Sequence, residues 1–284
     1  MPEPPPRDVE RQDGAAAASN SGRRPPAGQL VPSVMRAAAL LEALASGPPT
    51  ANLASLSRQL ELPRSSALAL CHTLVHVGLM KRERDEYRLG PSVVALARAY
   101  MVQTDLYTEF DRMTRGRGVL PEETLVLSVR DGTHVVYIGR RIGNRPVGVS
   151  YELGLRLPAH CTASGKALLA TLSDGEVCEL YGPDVRLESL TPQTITSVDG
   201  LTQDLDKVRV RGFAIDDEET APGMVCVGVA VRDRTGQGAG ALAVSLVKAA
   251  VTEDRLAATA AEMQRLSERI SSALGADAPD AQSS

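Results

Sequence analysis

The sequence has few cysteines, no tryptophan and no long apolar segment. Its four cysteines, Cys71, Cys161, Cys178 and Cys226, form no CxxC pair and no regular spacing, which argues against a disulfide framework and a zinc ribbon. No apolar stretch approaches the roughly 20 residues that cross a bilayer, and the N-terminus has no signal-peptide core. We therefore expect a cytoplasmic protein that makes no membrane contact and carries neither a metal ion nor a cofactor.

The formal net charge of −4 is distributed unevenly along the 284 residues. Residues 31–92 contain seven basic and five acidic side chains and are net positive, whereas residues 93–284 contain twenty basic and twenty-six acidic ones. A contact with nucleic acid is therefore expected from the first of these segments. Residues 1–30 and 276–284 have almost no periodic apolar pattern, which predicts a disordered tail at each end.

Residues 31–90 have the pattern of a helix-turn-helix domain. Apolar residues recur at helical spacing from Val34 to Leu44, and Ser33 is the expected N-cap of this first helix. A short helix from Leu53 to Leu60 follows, and a proline-containing turn leads into a longer third helix that ends at Gly78. The third helix of such a domain enters the DNA major groove by its N-terminal end.

A small hairpin, the wing, is expected directly after the third helix, with strands from Leu79 to Glu83 and from Tyr87 to Leu89. Its cations would neutralise phosphates, while the third helix meets base edges, with Arg64 as the candidate for a guanine contact. The alternatives are ordinary helix capping for the helix residues and a solvated charged hairpin for the wing. The candidate DNA-binding residues are Arg64, Ser65, Ser66, Ala69 and His72 of the helix and Lys81, Arg82, Arg84 and Arg88 of the wing.

A linker helix is predicted at residues 91–115, because apolar residues recur at helical spacing from Val93 to Met101. It would join the winged domain to a second domain at residues 116–275 and contribute to a dimer contact. Strands joined mostly by hairpins, with helices on their flanks, predict a mixed α/β fold for this second domain. The expected strands are Thr124 to Val129, His134 to Arg140, Val147 to Tyr151, Phe213 to Asp216, Met224 to Val231 and Ala241 to Val247, and the expected helices are Ala163 to Leu172, Thr202 to Arg211 and Asp254 to Leu274.

Two separated segments of the second domain have the character of a ligand pocket. In the segment His160 to Ala170, Thr162 or Ser164 can cap a helix whose first backbone N–H groups are free to meet an anion. In the segment Gly212 to Cys226, a short strand ends in an acidic run and is followed by an alternating apolar strand. We expect the helix start and the acidic loop to share one cleft.

Motifs in both halves of the chain resemble the IclR family of bacterial transcriptional regulators. They are VPSVMRAAALLEAL, LELPRSSALALCHTLVHVGLM and YRLGP in the first half, and HCTASGKALLA, SLTPQTITS, GFAIDDEETAPGMVC and ALAVSLV in the second. The resemblance implies two domains, a winged helix-turn-helix and a GAF-like effector domain with an antiparallel sheet flanked by helices. It also implies that the effector is held by Ala163, Ser164, Asp216, Cys226 and Ser245.

The function that this resemblance implies is that of a ligand-responsive transcriptional regulator, not an enzyme. Its expected partners are double-stranded operator DNA, a small organic acid as effector, and a second copy of the chain, with a homotetramer allowed. Two other functions stay open on the residues: a metabolite sensor that acts through protein partners, and a cysteine hydrolase in which Cys161 or Cys226 works with His160 and Asp216. Cys226 could also be an ordinary core residue, and Asp216 could merely cap the turn that follows it.

Overall fold

The computed structural model describes residues 30–116, 118–144, 151–182 and 185–276. The tails predicted at 1–30 and 276–284 lie almost wholly outside these residues, as does the strand predicted from Val147 to Tyr151, of which only Tyr151 is described, without regular secondary structure. None of the helices in the described ranges is long and apolar enough to span a membrane.

The N-terminal part of the described chain folds as the predicted winged helix-turn-helix. Its elements are α1 (Pro32–Ser46), β1 (Ala51–Asn52), α2 (Leu53–Gln59), α3 (Arg64–His76), β2 (Met80–Glu83) and β3 (Glu86–Leu89). The strands pair antiparallel in the order β1-β3-β2, so β1 extends the wing by a strand that the apolar pattern did not predict. The buried side chains of this core include Leu40, Leu56, Cys71, Met80 and Tyr87.

The start of α1 differs from the prediction. Pro32 is its first residue and Val31 is its N-cap, and no side chain caps this end. Proline suits the first helical position because its φ is already helical and its missing N–H would have no partner there. Ser33 is therefore not the cap. In contrast, the Asn52 side chain caps α2 by accepting a hydrogen bond from the Ser55 N–H at 2.9 Å.

The linker, predicted as a single helix, consists of two helices, α4 (Ser92–Gln103) and α5 (Asp105–Thr114). Thr104 separates them with an extended backbone, φ −103° and ψ 104°, and its hydroxyl donates to the Tyr100 carbonyl at 2.7 Å. Threonine competes in this way with the backbone bonds of a helix. Helix α5 buries Leu106 and Phe110, whereas no residue of α4 is buried.

The C-terminal part of the described chain is a six-stranded antiparallel sheet between two layers of helices, which confirms the predicted mixed α/β fold. In sheet order the strands are β6 (Arg156–Pro158), β5 (His134–Arg141), β4 (Leu125–Asp131), β9 (Gly238–Val247), β8 (Met224–Arg232) and β7 (Ala214–Asp217). The helices are α6 (Ala163–Leu169), α7 (Asp174–Tyr181), α8 (Val198–Arg211) and α9 (Glu253–Ala273). Strand β6 and helix α7 were not predicted.

Alternation along the strands divides the apolar side chains between the two faces of this sheet. On β4, Leu125 and Leu127 belong to the core that also contains residues of α5 and α9. Val126 points the other way, into the core that contains residues of α6 and α8. Of the effector residues predicted by resemblance, Ala163 and Ser164 lie in α6, and Asp216, Cys226 and Ser245 lie in β7, β8 and β9.

Candidate functional site

A cavity of about 180 Å³ lies between the start of α6, the loop after β7, and strands β8 and β9. All five residues that the family resemblance assigned to the effector line this cavity, together with residues that the sequence analysis did not select. The lining is Val126, Tyr137, Tyr151, Leu155, Leu157, Thr162, Ala163, Ser164, Asp216, Thr220, Ala221, Met224, Cys226, Ala243 and Ser245.

One wall of the cavity is the beginning of α6. Thr162 is the N-cap, and its hydroxyl accepts a hydrogen bond from the Gly165 N–H at 3.1 Å. Ala163 and Ser164 are the first two residues of the helix, positions whose N–H groups have no acceptor within a helix. Of the two predicted caps, Thr162 is therefore the one used, and Ser164 is left to face the cavity.

Glycine allows α6 to lie directly on the sheet. A Cβ at Gly228 of β8 would approach the Ala163 carbonyl carbon and oxygen to 2.3 Å, and a Cβ at Gly165 would approach the Ala159 carbonyl oxygen to 2.2 Å. Both approaches are too short for any side chain, and backbone atoms cannot move aside easily. The two glycines thus determine how closely the first turn of α6 meets the strand that carries Cys226.

The opposite wall contains Asp216, whose side chain is buried. Its Oδ1 accepts hydrogen bonds from the Glu219 N–H at 2.7 Å and the Thr220 N–H at 3.2 Å. The alternative interpretation, that Asp216 caps the following turn, therefore holds, and the residue also lines the cavity. Burial raises the pKa of this carboxyl, and the hydrogen bonds from Thr220 and Glu219 act in the opposite direction.

The cysteines do not have the geometry of a hydrolase site. The Cys226 Sγ lies 3.0 Å from the Ser245 Oγ, and His160 Nε2 lies 2.8 Å from the Glu188 carbonyl oxygen instead of pairing with a thiol. Burial raises the pKa of Cys161 to about 12 and also raises that of Cys226. Nucleophilic catalysis requires the thiolate, so both thiols are unsuited to it.

One hydroxyl group of the cavity lining, Ser164 Oγ, is buried without a hydrogen-bond partner in the described part of the chain. Burial raises the pKa of the Tyr151 phenol to about 12, and a hydrogen bond with the Ser245 side chain acts in the opposite direction. A buried hydroxyl without a partner is unfavourable by about 1–3 kcal/mol. A ligand that supplies a partner for Ser164 would remove this penalty. Tyr151 was predicted only as the last residue of a strand, and nothing in its local sequence marks it as a site residue.

The predicted DNA-contacting face of α3 is accessible. Arg64, Ser65, Ala69 and His72 are exposed and Ser66 is half-buried, while the opposite face of the helix is buried in the domain core. The N-cap of α3 is Pro63, with no side-chain hydrogen bond at the cap. Neither serine therefore acts as that cap, and both hydroxyls remain available for contacts outside the helix.

The wing pairs most of its cations with its own acidic residues. Lys81 lies 3.2 Å from Glu83, which also contacts Arg88, and Arg82 lies 3.3 Å from Asp85. These pairs are exposed and contribute little to stability, so phosphates can replace the acidic partners. Arg84 lies at the tip of the turn with φ 55°, and its side chain has no ion-pair partner among the described residues.

Comparison with known families agrees with both halves of this structure. Residues 98–272 match the model of the bacterial transcriptional regulator IclR C-terminal domain, and residues 33–84 match the model of the IclR helix-turn-helix domain. The chain belongs to the IclR family. An IclR-family protein of this organisation is a DNA-binding transcriptional regulator with an effector-binding C-terminal domain, and it is not an enzyme.

Individual relatives extend the likeness to most of the chain. The transcriptional repressor AllR of Escherichia coli K12 is 28% identical over 242 residues, covering 84% of this chain and 89% of AllR. The repressor BlcR of Agobacterium tumefaciens, whose crystal structure is known, is 32% identical in sequence to this chain. The two structures superpose with a TM-score of 0.56 over 86% of this chain and 97% of BlcR. An IclR homologue of Microbacterium hydrocarbonoxydans, solved with 4-hydroxybenzoate, shares the fold at 20% identity, with a TM-score of 0.70 over 85% of this chain and 98% of its own.

Proposed function

We propose that this IclR-family regulator senses a small hydroxylated organic acid, which binds in the cavity of about 180 Å³. The observation that carries the proposal is the cavity itself, which brings Ala163, Ser164, Asp216, Cys226 and Ser245 together from four separate elements of the chain. One polar atom of its lining, Ser164 Oγ, is buried without a hydrogen-bond partner among the described residues. Because buried polar groups in native proteins are almost always paired, this hydroxyl also supports a polar ligand.

The size of the cavity limits the ligand to about one ring or a short chain. An apolar cavity of about 150 Å³ can hold benzene, so the volume here accommodates a single ring with one or two polar substituents. Apolar side chains of Val126, Leu155, Leu157 and Met224 form much of the wall. They would pack against the ring or the hydrocarbon part of the ligand.

The polar groups of the wall favour one negative charge and one hydroxyl on the ligand. Donors are supplied by the Ser164 and Tyr151 hydroxyls and by the first N–H groups of α6. Asp216, in contrast, offers acceptor oxygens, and a ligand hydroxyl can donate to them. A hydroxy acid or phenolic acid therefore suits the site better than a dianion, which Asp216 would repel. The Microbacterium homologue binds 4-hydroxybenzoate, which makes this acid a suitable first probe.

A thermal-shift screen of the full-length protein tests this proposal. The panel would contain 4-hydroxybenzoate, benzoate, 4-hydroxybenzamide, lactate and a dicarboxylate such as oxalate. At about 100 times its Kd, a true effector stabilises the native state by about 2.7 kcal/mol, which corresponds to a rise in melting temperature of about 5 °C or more. It should also change the affinity for DNA upstream of the regulator's own gene. A panel in which no monoanionic hydroxy acid is active at millimolar concentration would contradict the proposal.

We further propose that two copies of the chain pair through α4. This helix exposes Val94 (71%), Leu96 (62%), Tyr100 (49%) and Val102 (66%), and none of its residues is buried. Twelve residues with so much exposed apolar surface are unfavourable in water unless a partner covers them. A second copy is the partner that a helix-turn-helix regulator needs, because one winged domain reads too few base pairs for useful selectivity.

Replacing Leu96 with aspartate should break this pairing, because a charge would enter the apolar contact. Light scattering at micromolar concentration should give at least twice the chain mass for the wild type and half the wild-type mass for Leu96→Asp, which should also bind operator DNA weakly. Val210→Asp is the matched control, since Val210 of α8 is 91% exposed and should leave the mass unchanged. A monomeric wild type that retains tight DNA binding would disprove the pairing.

A further inference from the structure

Lys166 is a charged residue that the cavity does not use directly. It lies one turn into α6, its side chain is only 1% exposed, and its Nζ contacts carboxylates from two other parts of the domain. One is Asp204 of α8, at 2.9 Å, and the other is Glu219 in the loop after β7. A single buried cation therefore joins three segments that lie far apart in the sequence.

Glu219 lies in the loop that directly follows Asp216 and the end of β7. Its N–H donates to Asp216 at 2.7 Å, and its carbonyl oxygen accepts a hydrogen bond of 2.7 Å from the Thr194 hydroxyl. Its carboxylate contacts Lys166. Asp216 of β7 and the loop residues Thr220 and Ala221 line the cavity, so anything that holds Glu219 in place also holds this wall.

We propose that Lys166 is a positioning residue of the effector site. It ties the segment from Asp216 to Ala221, which is the end of β7 and the loop after it, to α6, whose first residues form the facing wall. Lys166 thereby sets the separation of the two walls. The role assigned to Lys166 rests on the proposed function of the cavity, although the contacts that define it do not involve a ligand.

Lys166 is surrounded by carboxylates, so a neutral residue at this position would leave their negative charges without a cation. Asp204 and Glu219 contact it directly, and Asp216 is joined to Glu219 through the Glu219 N–H. Removing one partner of a buried ion pair leaves the remaining charge unpaired in a medium of low dielectric constant, which is strongly unfavourable. The Oε2 atom of Glu219 is already buried without a partner among the described residues. Without Lys166, the loop is therefore expected to open so that Glu219 can reach water.

Hydrogen–deuterium exchange of the full-length protein tests the proposal without any ligand. Lys166→Met keeps the aliphatic stem and removes the charge, and it should speed exchange at least tenfold in the peptide spanning residues 216–223. Peptides from β9 should be unaffected. Lys207→Met is the matched control, because Lys207 also faces Asp204, at 3.9 Å, but is 69% exposed, so it should exchange as the wild type does. Lys166→Arg, which retains the charge, should restore most of the protection.

If Lys166→Met destabilises the whole domain, Lys166→Met combined with Glu219→Gln removes both charges, so that the domain should fold while the tie between the loop and α6 is still missing. Fast exchange of the loop with a protected sheet supports the proposal, whereas wild-type protection of the loop in either variant overturns it. Binding of 4-hydroxybenzoate provides a readout that stability alone would not change: its Kd should rise at least tenfold in Lys166→Met and less than twofold in Lys207→Met. Failure of the wild type to bind any acid contradicts the proposed function, while the exchange result still decides the role of Lys166.

Discussion

Replacing Ser164 with tryptophan should abolish the response to the effector and leave operator affinity within about twofold of the wild type. Ser164 is 1% exposed and lines the cavity, so an indole side chain would occupy the space that the ligand needs. Overpacking of this kind destabilises a domain by about 1–3 kcal/mol, and occasionally by more. Fluorescence anisotropy of labelled operator DNA, with and without the acid found by thermal shift, measures the response.

The chain contains no tryptophan, so all tryptophan fluorescence of Ser164→Trp comes from the introduced indole. An indole inside the cavity is shielded from water, so the emission of Ser164→Trp should be shifted to the blue. Val210→Trp, on the exposed side of α8, should emit as an indole in water and respond normally to the effector. A Ser164→Trp protein with blue-shifted emission and a normal response would show that the effector binds elsewhere.

Replacing Arg64 with alanine should weaken operator binding by about 1–3 kcal/mol, and by different amounts on different sequences. Arg64 is exposed at the first turn of α3, the part of a recognition helix that meets base edges. Arg84→Ala, at the tip of the wing, should instead weaken binding to all sequences alike and reduce the dependence of affinity on salt by about one phosphate contact.

Binding of both variants to a set of single-base operator variants, at two or more salt concentrations, separates these roles. Arg64→Ala should lose discrimination at one base pair of each half-site, whereas Arg84→Ala should keep the wild-type order of preferences. Equal losses on every sequence for both variants would assign Arg64 to the phosphate backbone. The same data measure how readily Glu83 and Asp85 release the other wing cations to DNA.

Features with a short-range signal could be predicted from the sequence. The hairpin around Asp131-Gly132, the end of α3 near Gly78 and strand β8 all followed from turn residues or from alternation over a few positions. The start of helix α7 could also have been predicted, because Ser173 and Glu176 have the spacing of a capping box, which they form in the structure. Strands β1 and β6 had none, because two or three residues are too few to show a period.

The sequence by itself determined the two-domain organisation, and the resemblance of its motifs indicated the family and five of the fifteen residues that line the cavity. Tertiary structure alone decided what those residues contact. Lys166 contacts Asp204 and Glu219, which lie 38 and 53 positions away in the sequence. Tyr151 lines the cavity because the sheet and α6 pack together around it. Burial and charge pairing depend on which distant segments pack against each other, and local periodicity contains no information on that.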